Sequence, residues 1–279
     1  MKRLYLILLA AFVAGAISCS RNISKAEKLW SSPAGLEVPE SVLYNSGENV
    51  LYVSNINGKP TEKNGRGFIS KLSTDGKIVA LQWITGLNAP KGMGLNATTL
   101  YVTDIDRIYE IDIVAGKKIK TYTVAGAKFL NDIAIDSQGT VYITDMTTNK
   151  LHAIQGGTVS DWIDLNPYTS ANGLFMDKGM LLVGTAEGVL KINPQTKKVE
   201  LYIPNKGGID GLKSLDHGRY IISDWAGKTQ IIQQGKPAIV LLNTTSDKIN
   251  AADFEYIKDK QMLLIPTFFH NSVDAYRLK

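Results

Sequence analysis

Six strand-like pentads recur along the chain: Leu51-Tyr-Val-Ser-Asn55, Leu100-Tyr-Val-Thr-Asp104, Val141-Tyr-Ile-Thr-Asp145, Leu181-Leu-Val-Gly-Thr185, Tyr220-Ile-Ile-Ser-Asp224 and Leu263-Leu-Ile-Pro-Thr267. They lie roughly 40 residues apart, about 49 at the first interval, and a period of that size belongs to propeller blades. Each pentad sits in a longer unit. A short apolar strand and a turn precede it, as in Asp132-Ile-Ala-Ile-Asp136 and Ser137-Gln-Gly139. A third strand follows, as in Arg107-Ile-Tyr-Glu-Ile-Asp112, and then a fourth, as in Lys198-Val-Glu-Leu-Tyr-Ile203. Alternation and β-branched content suit strands, and no segment carries a competing apolar helical period. Four strands per unit, six times over, predict an all-β chain folded as a six-bladed β-propeller. The sixth unit stops after its third strand, Ser272-Val-Asp-Ala-Tyr-Arg-Leu278, whereas Ala26-Glu-Lys-Leu-Trp-Ser31 resembles the fourth strands elsewhere. The N-terminal segment is therefore expected to complete the last blade and cover an otherwise open edge.

Composition sets the address. Of 279 residues, 44% are hydrophobic and 20% charged, enough to bury a large core. The apolar run Leu4 to Ile17 is too short for a bilayer, which needs roughly 20 residues. Lys2 and Arg3 precede it, and Ala16-Ile17-Ser18-Cys19 ends it at the only cysteine. This pattern reads as an export leader of bacterial lipoprotein type. Residues 1–19 are assigned to the leader ending at a lipidated Cys19, residues 20–27 to a tether and residues 28–279 to the propeller. The expected location is the membrane surface facing the periplasm, held through the lipid alone. An acylated Cys19 leaves no thiol for a disulfide, a metal or a nucleophile. Net charge is +5, and without Lys2 and Arg3 the 31 basic residues fall to 29 against 26 acidic ones. They are scattered, so nucleic acid is not an expected partner. Nothing in the sequence encodes an oligomeric state.

Propeller geometry indicates which residues converge. The innermost strand of each blade starts at the channel, so equivalent first positions form a ring: Glu40, Lys91, Asn131, Asn172, Asp210 and Ala252. Four are short oxygen donors, without histidine or cysteine among them. Such donors suit Ca²⁺ best, with Mg²⁺ or Mn²⁺ less often used and Zn²⁺ poorly matched. Taken singly, Asn172-Gly173 and Asp210-Gly211 are hairpin signals, but all four donors fall at one phase of the repeat.

The segments Pro39-Glu40-Ser41, Leu130-Asn131-Asp132 with Asp136 and Gly139, Asn172-Gly173-Leu174 and Asp210-Gly211-Leu212 resemble blade-opening motifs of the senescence marker protein, gluconolactonase and luciferin-regenerating enzyme family. The similarity covers about residues 28 to 279. It implies a divalent cation in the channel held by Glu40, Asn172 and Asp210, with Asn131 as a further ligand or a substrate contact. It also implies Asp210 as the base, and metal-assisted hydrolysis of a small lactone or ester. Sugar-lactonase members often carry an arginine two residues before the third-blade asparagine. Here Phe129 stands there, which favours a less polar ester, lactone or phosphoester. Lys91 is a candidate for binding an anionic group or for pairing with Glu40 or Asp210. Loops between second and third strands should emerge on the same face. They contain Asn57 to Arg66, Asp224-Trp225 and Phe268-Phe269-His270-Asn271, with Trp225 as an apolar wall and His270 as a proton-transfer candidate. The alternative to an enzyme is a ligand- or partner-binding propeller with a structural cation, because fold does not dictate function.

Overall fold

The computed structural model of the chain describes residues 23–279; the leader, Cys19 and the start of the tether lie outside the described residues. Six antiparallel four-stranded sheets form a β-propeller. Blade one comprises β2 (Pro39–Asn45), β3 (Val50–Asn55), β4 (Gly67–Ser73) and β5 (Ile78–Leu87), and blade two β6 (Pro90–Asn96), β7 (Thr99–Asp104), β8 (Arg107–Asp112) and β9 (Lys117–Thr123). Blade three comprises β10 (Leu130–Ile135), β11 (Val141–Asp145), β12 (Lys150–Gln155) and β13 (Thr158–Asp164), and blade four β14 (Leu174–Asp177), β15 (Met180–Gly184), β16 (Gly188–Ile192) and β17 (Val199–Pro204). Blade five follows with β18 (Leu212–Asp216), β19 (Arg219–Asp224), β20 (Lys228–Gln233) and β21 (Ile239–Asn243).

Blade six joins the two ends of the described chain. Its order is β22 (Glu255–Ile257), β23 (Met262–Pro266), β24 (Val273–Leu278) and then β1 (Ala26–Ser31). β1 runs antiparallel to β24, with Ala26 opposite Leu278 and Ser31 opposite Asp274. The Ser24 and Lys25 N–H groups both donate to the Lys279 carbonyl, at 2.9 and 3.1 Å. The closing strand thus starts two residues inside the stretch assigned to the tether, because these backbone bonds extend the ladder past Ala26.

The pentads are the second strands, and the packing explains their composition. Each is covered on both faces by its neighbours, so a residue buried on either side must be apolar or satisfied. β11 is buried along its whole length. The core is a series of layers between blades, not one central mass. Tyr52, Ile69 and Leu87 of blade one pack against Met93, Leu100 and Val102 of blade two. Val42, Leu51 and Val53 meet Leu264, Val273 and Ala275 of blade six. Burying one such aliphatic side chain stabilises by roughly 1.5–3 kcal/mol. Among the described residues no helix is long and apolar enough to cross a membrane.

Candidate functional site in the channel mouth

The ring residues are aimed by irregularities at the ends of the innermost strands. The ladder register breaks between Pro39 and Ser41, between Pro90 and Met93, and between Leu130 and Ile133. Glu40, Lys91 and Asn131 fall in those bulges, and a bulge re-aims a side chain. In blades four and five the ring residue comes just before the strand. Asn172 N–H donates to the Gly184 carbonyl and Asp210 N–H to the Ser223 carbonyl, each at 2.9 Å. The glycines that follow are not hairpin turns. A Cβ on Gly173 would stand 2.6 Å from the Asp210 carbonyl oxygen, and one on Gly211 2.5 Å from the Phe254 ring. Glycine is required because adjacent innermost strands approach so closely.

The last residue of the pentad fixes the chain entering its own blade. Asp104 accepts from the N–H groups of Asn88 and Ala89, both at 2.8 Å, just before Lys91. Asp145 accepts from Lys128 at 2.8 Å and Phe129 at 3.2 Å, just before Asn131. Within blade one Asn55 accepts from Glu37 at 3.0 Å, three residues before Glu40.

These elements open on a cavity of about 420 Å³. Glu40, Asn131, Asn172 and Asp210 form its polar floor, and Ile56, Pro60, Phe129, Met146, Trp225, Phe268 and Phe269 its walls, together with Lys91. Of the ring positions, Ala252 stays outside this lining, and of the proposed substrate contacts so does His270. It is exposed on the 3₁₀ turn Phe268–His270, whose two phenylalanines occupy the cavity side. Ile56, Met146 and Phe268 were not singled out, yet a signal existed. Each directly follows a pentad, as Trp225 does. Pro60 lies in the Asn57 to Arg66 loop expected on this face, with no signal that singles it out within that loop.

On the floor, Asn172 Nδ2 donates to Asp210 Oδ1 at 2.6 Å. Asn172 Oδ1 and Glu40 Oε2 are buried and have no hydrogen-bond partner. Burial, then the charges of Asp210 and Asp253, hold the Glu40 carboxyl well above the usual carboxylate range. Burial, and secondarily Asp253, pushes Asp210 up to about 7, against the lowering effect of the Asn172 hydrogen bond. Lys91 is not paired with either acid at its tip. Its ammonium donates to the Pro60 carbonyl at 2.8 Å and the Ala89 carbonyl at 2.9 Å, and stands 4.5 Å from the Phe129 ring centre. Burial lowers it to about 8, opposed by the charges of Glu40 and Asp104. Lys91 thereby fastens the blade-one loop over the channel.

A hard cation fits this floor. Unpartnered buried oxygens are uncommon and call for an explanation; two of them here belong to residues that line one cavity, whose floor offers the oxygen donors a hard cation takes. Among the described residues no three His, Cys, Asp or Glu side chains converge on one point. A cation here therefore depends on the amide oxygens of Asn172 and Asn131 beside Glu40 and Asp210.

No protein-family model and no curated protein matches the chain. Solved structures do. A catalytically inactive variant of virginiamycin B lyase from Staphylococcus aureus, solved with quinupristin, is 12% identical, with a TM-score of 0.63 over 91% of this chain and 99% of that one. A candidate gluconolactonase is 15% identical, with a TM-score of 0.68 over 92% of each chain. The likeness is one of fold. A nidogen/laminin complex also matches, at 15% identity and a TM-score of 0.60, covering 80% of this chain and 97% of that one. Propellers of this architecture thus include enzymes and a protein–protein complex.

Proposed function

We propose that the chain is a divalent-metal-dependent hydrolase of lactone or ester type, with its site in the channel mouth. The observation that carries this reading is the pair of buried, partnerless oxygens, Glu40 Oε2 and Asn172 Oδ1, beside Asp210 on one floor. Glu40, Asn172, Asp210 and Asn131 would hold the cation, Ca²⁺ in first place and Mg²⁺, Mn²⁺ or Zn²⁺ as competitors. When bound, it supplies Lewis acidity to a carbonyl and to water. Asp210 fixes Asn172 through Oδ1, which leaves Oδ2 to take the proton of the attacking water. Asn131 is held from behind, its carbonyl accepting from Thr103 Oγ1 at 2.5 Å, and its side chain orients the substrate on the floor. The leader ending at Cys19 supports an exported, lipid-anchored setting.

The exposed aromatic rings at the mouth favour a second reading, a ligand-binding propeller with a structural cation. One experiment separates the two. The protein is melted with chelator and then with each cation, as wild type and as Asp210→Asn, and assayed on a lactone and ester panel. A cation at about 100 times its dissociation constant stabilises by roughly 2.7 kcal/mol, about 5 to 10 °C for a domain of this size. That shift, together with hydrolysis that the variant loses, is expected of the enzyme. A shift without hydrolysis favours the binding reading, and no shift with any cation overturns both.

A further inference from the structure

We propose that the aromatic rim of the cavity binds an apolar arm of the substrate, an alkyl or aryl substituent on the lactone or ester; the identity of the scissile group rests on the reading above. Trp225, Phe268 and Phe269 form a cluster of mutually edge-on rings, with centres 5.4, 4.8 and 6.0 Å apart. Two of them stand open: Trp225 is 46% exposed and Phe269 61%. Large apolar side chains grouped at a cavity mouth mark a contact surface. Phe129 and Met146 line the same cavity. The rim is continuous with the polar floor, so its occupant is part of whatever molecule sits on that floor.

The turn that carries two of the rings is also held in place. Phe268 has φ of 50°, a left-handed conformation that a bulky residue rarely adopts, and such strain persists only where the surroundings enforce it. Here they do. Thr267 Oγ1 and Ser272 Oγ lie 2.9 Å apart, Ser272 N–H donates to Thr267 Oγ1 at 3.0 Å, and Asn271 Oδ1 accepts from Val38 N–H at 2.8 Å. A ligand meeting these rings does not have to order the turn that carries two of them first.

The walls supply almost nothing to a hydroxyl group. The one charged group among them, the Lys91 ammonium, is already held by two carbonyls and stands against the Phe129 ring. A polyhydroxylated lactone would lose water from any hydroxyl pressed against these walls without regaining a hydrogen bond from them, a cost for each hydroxyl so placed. An alkyl or aryl arm loses nothing of that kind.

The test uses the purified protein with its best cation and a series of δ-lactones bearing methyl to hexyl tails, a phenyl-substituted δ-lactone, and glucono-δ-lactone. Expected is a rise in kcat/KM of about two- to fourfold for each added methylene, with the hexyl or phenyl compound at least tenfold above glucono-δ-lactone. Phe269→Ala, at an exposed position that tolerates truncation, is expected to flatten the chain-length slope by half or more. A non-hydrolysable δ-lactam with a hexyl tail gives a readout without chemistry: quenching of tryptophan fluorescence that Trp225→Phe removes. Hydrolysis that is flat in tail length, or highest with glucono-δ-lactone, overturns the apolar subsite and leaves the hydrolase reading intact. Lactam binding without hydrolysis of any compound supports the subsite and overturns the hydrolase. Neither binding nor hydrolysis overturns both.

Discussion

At the residue scale, burial and charge oppose each other on the channel floor. Burial raises both Glu40 and Asp210, the latter to about 7, so without a cation the folded protein keeps protons that the unfolded chain has already released. Stability of the chelated protein therefore falls as pH rises from about 3.9, the ordinary aspartate value, towards the value of about 7 for Asp210. A divalent cation removes that penalty by replacing the protons. The gain in melting temperature on adding Ca²⁺ is thus expected to be clearly larger at pH 8 than at pH 5.5. Equal gains at the two values, measured by thermal melting in matched ionic strength, would contradict a site built on these two carboxylates. Glu40→Gln and Asp210→Asn should each flatten the dependence.

At the element scale, the informative unit is the second strand with its terminal side chain. Asp145 is fully buried and accepts from four backbone N–H groups, those of Lys128, Phe129, Thr147 and Thr148. Hydrogen bonds to a charged group are worth about 1.5–3 kcal/mol each, and donors left unpaired cost more. Asp145→Ala is expected to lower stability by about 3 kcal/mol in urea unfolding and to reduce turnover, since Phe129 and Asn131 follow directly; Asp145→Asn should lose less. A variant within 0.5 kcal/mol of wild type by this measurement would remove Asp145 from its role as a latch. The same element shows what the sequence reveals. Pentads such as Val141–Asp145 are legible because a strand covered on both faces has little freedom in composition, and the ring phase is legible because the repeat carries it. The bulges at Glu40, Lys91 and Asn131 are not, since they arise where one ladder must end against its neighbour. The two carbonyls that hold Lys91 are equally hidden: one belongs to Pro60, in a loop of another blade. His270 read as a site residue from its loop, but which side a residue of a 3₁₀ turn occupies is not encoded in loop membership.

At the scale of the whole molecule, stability resides between blades. Tyrosines of the second strands stand in these layers, Tyr52 and Tyr142 buried and Tyr101 half-buried, and burial pushes all three up to about 12. Unfolded tyrosine ionises near 10, so the fold retains protons that the unfolded chain loses, and stability falls as pH rises from about 10 to 12. Urea midpoints at pH 9 and pH 11 are expected to show that decline; a flat profile would mean that the rings are solvated. The closure of the ring has a different consequence. β1 (Ala26–Ser31) precedes every other described strand and finds its partner only in β24 (Val273–Leu278), the last of them. A chain released short of Val273 holds five complete blades and an orphaned first strand. The final ladder is thus a clasp: the ring stays shut only while these two strands hold each other, and a cut within either opens it at this one seam.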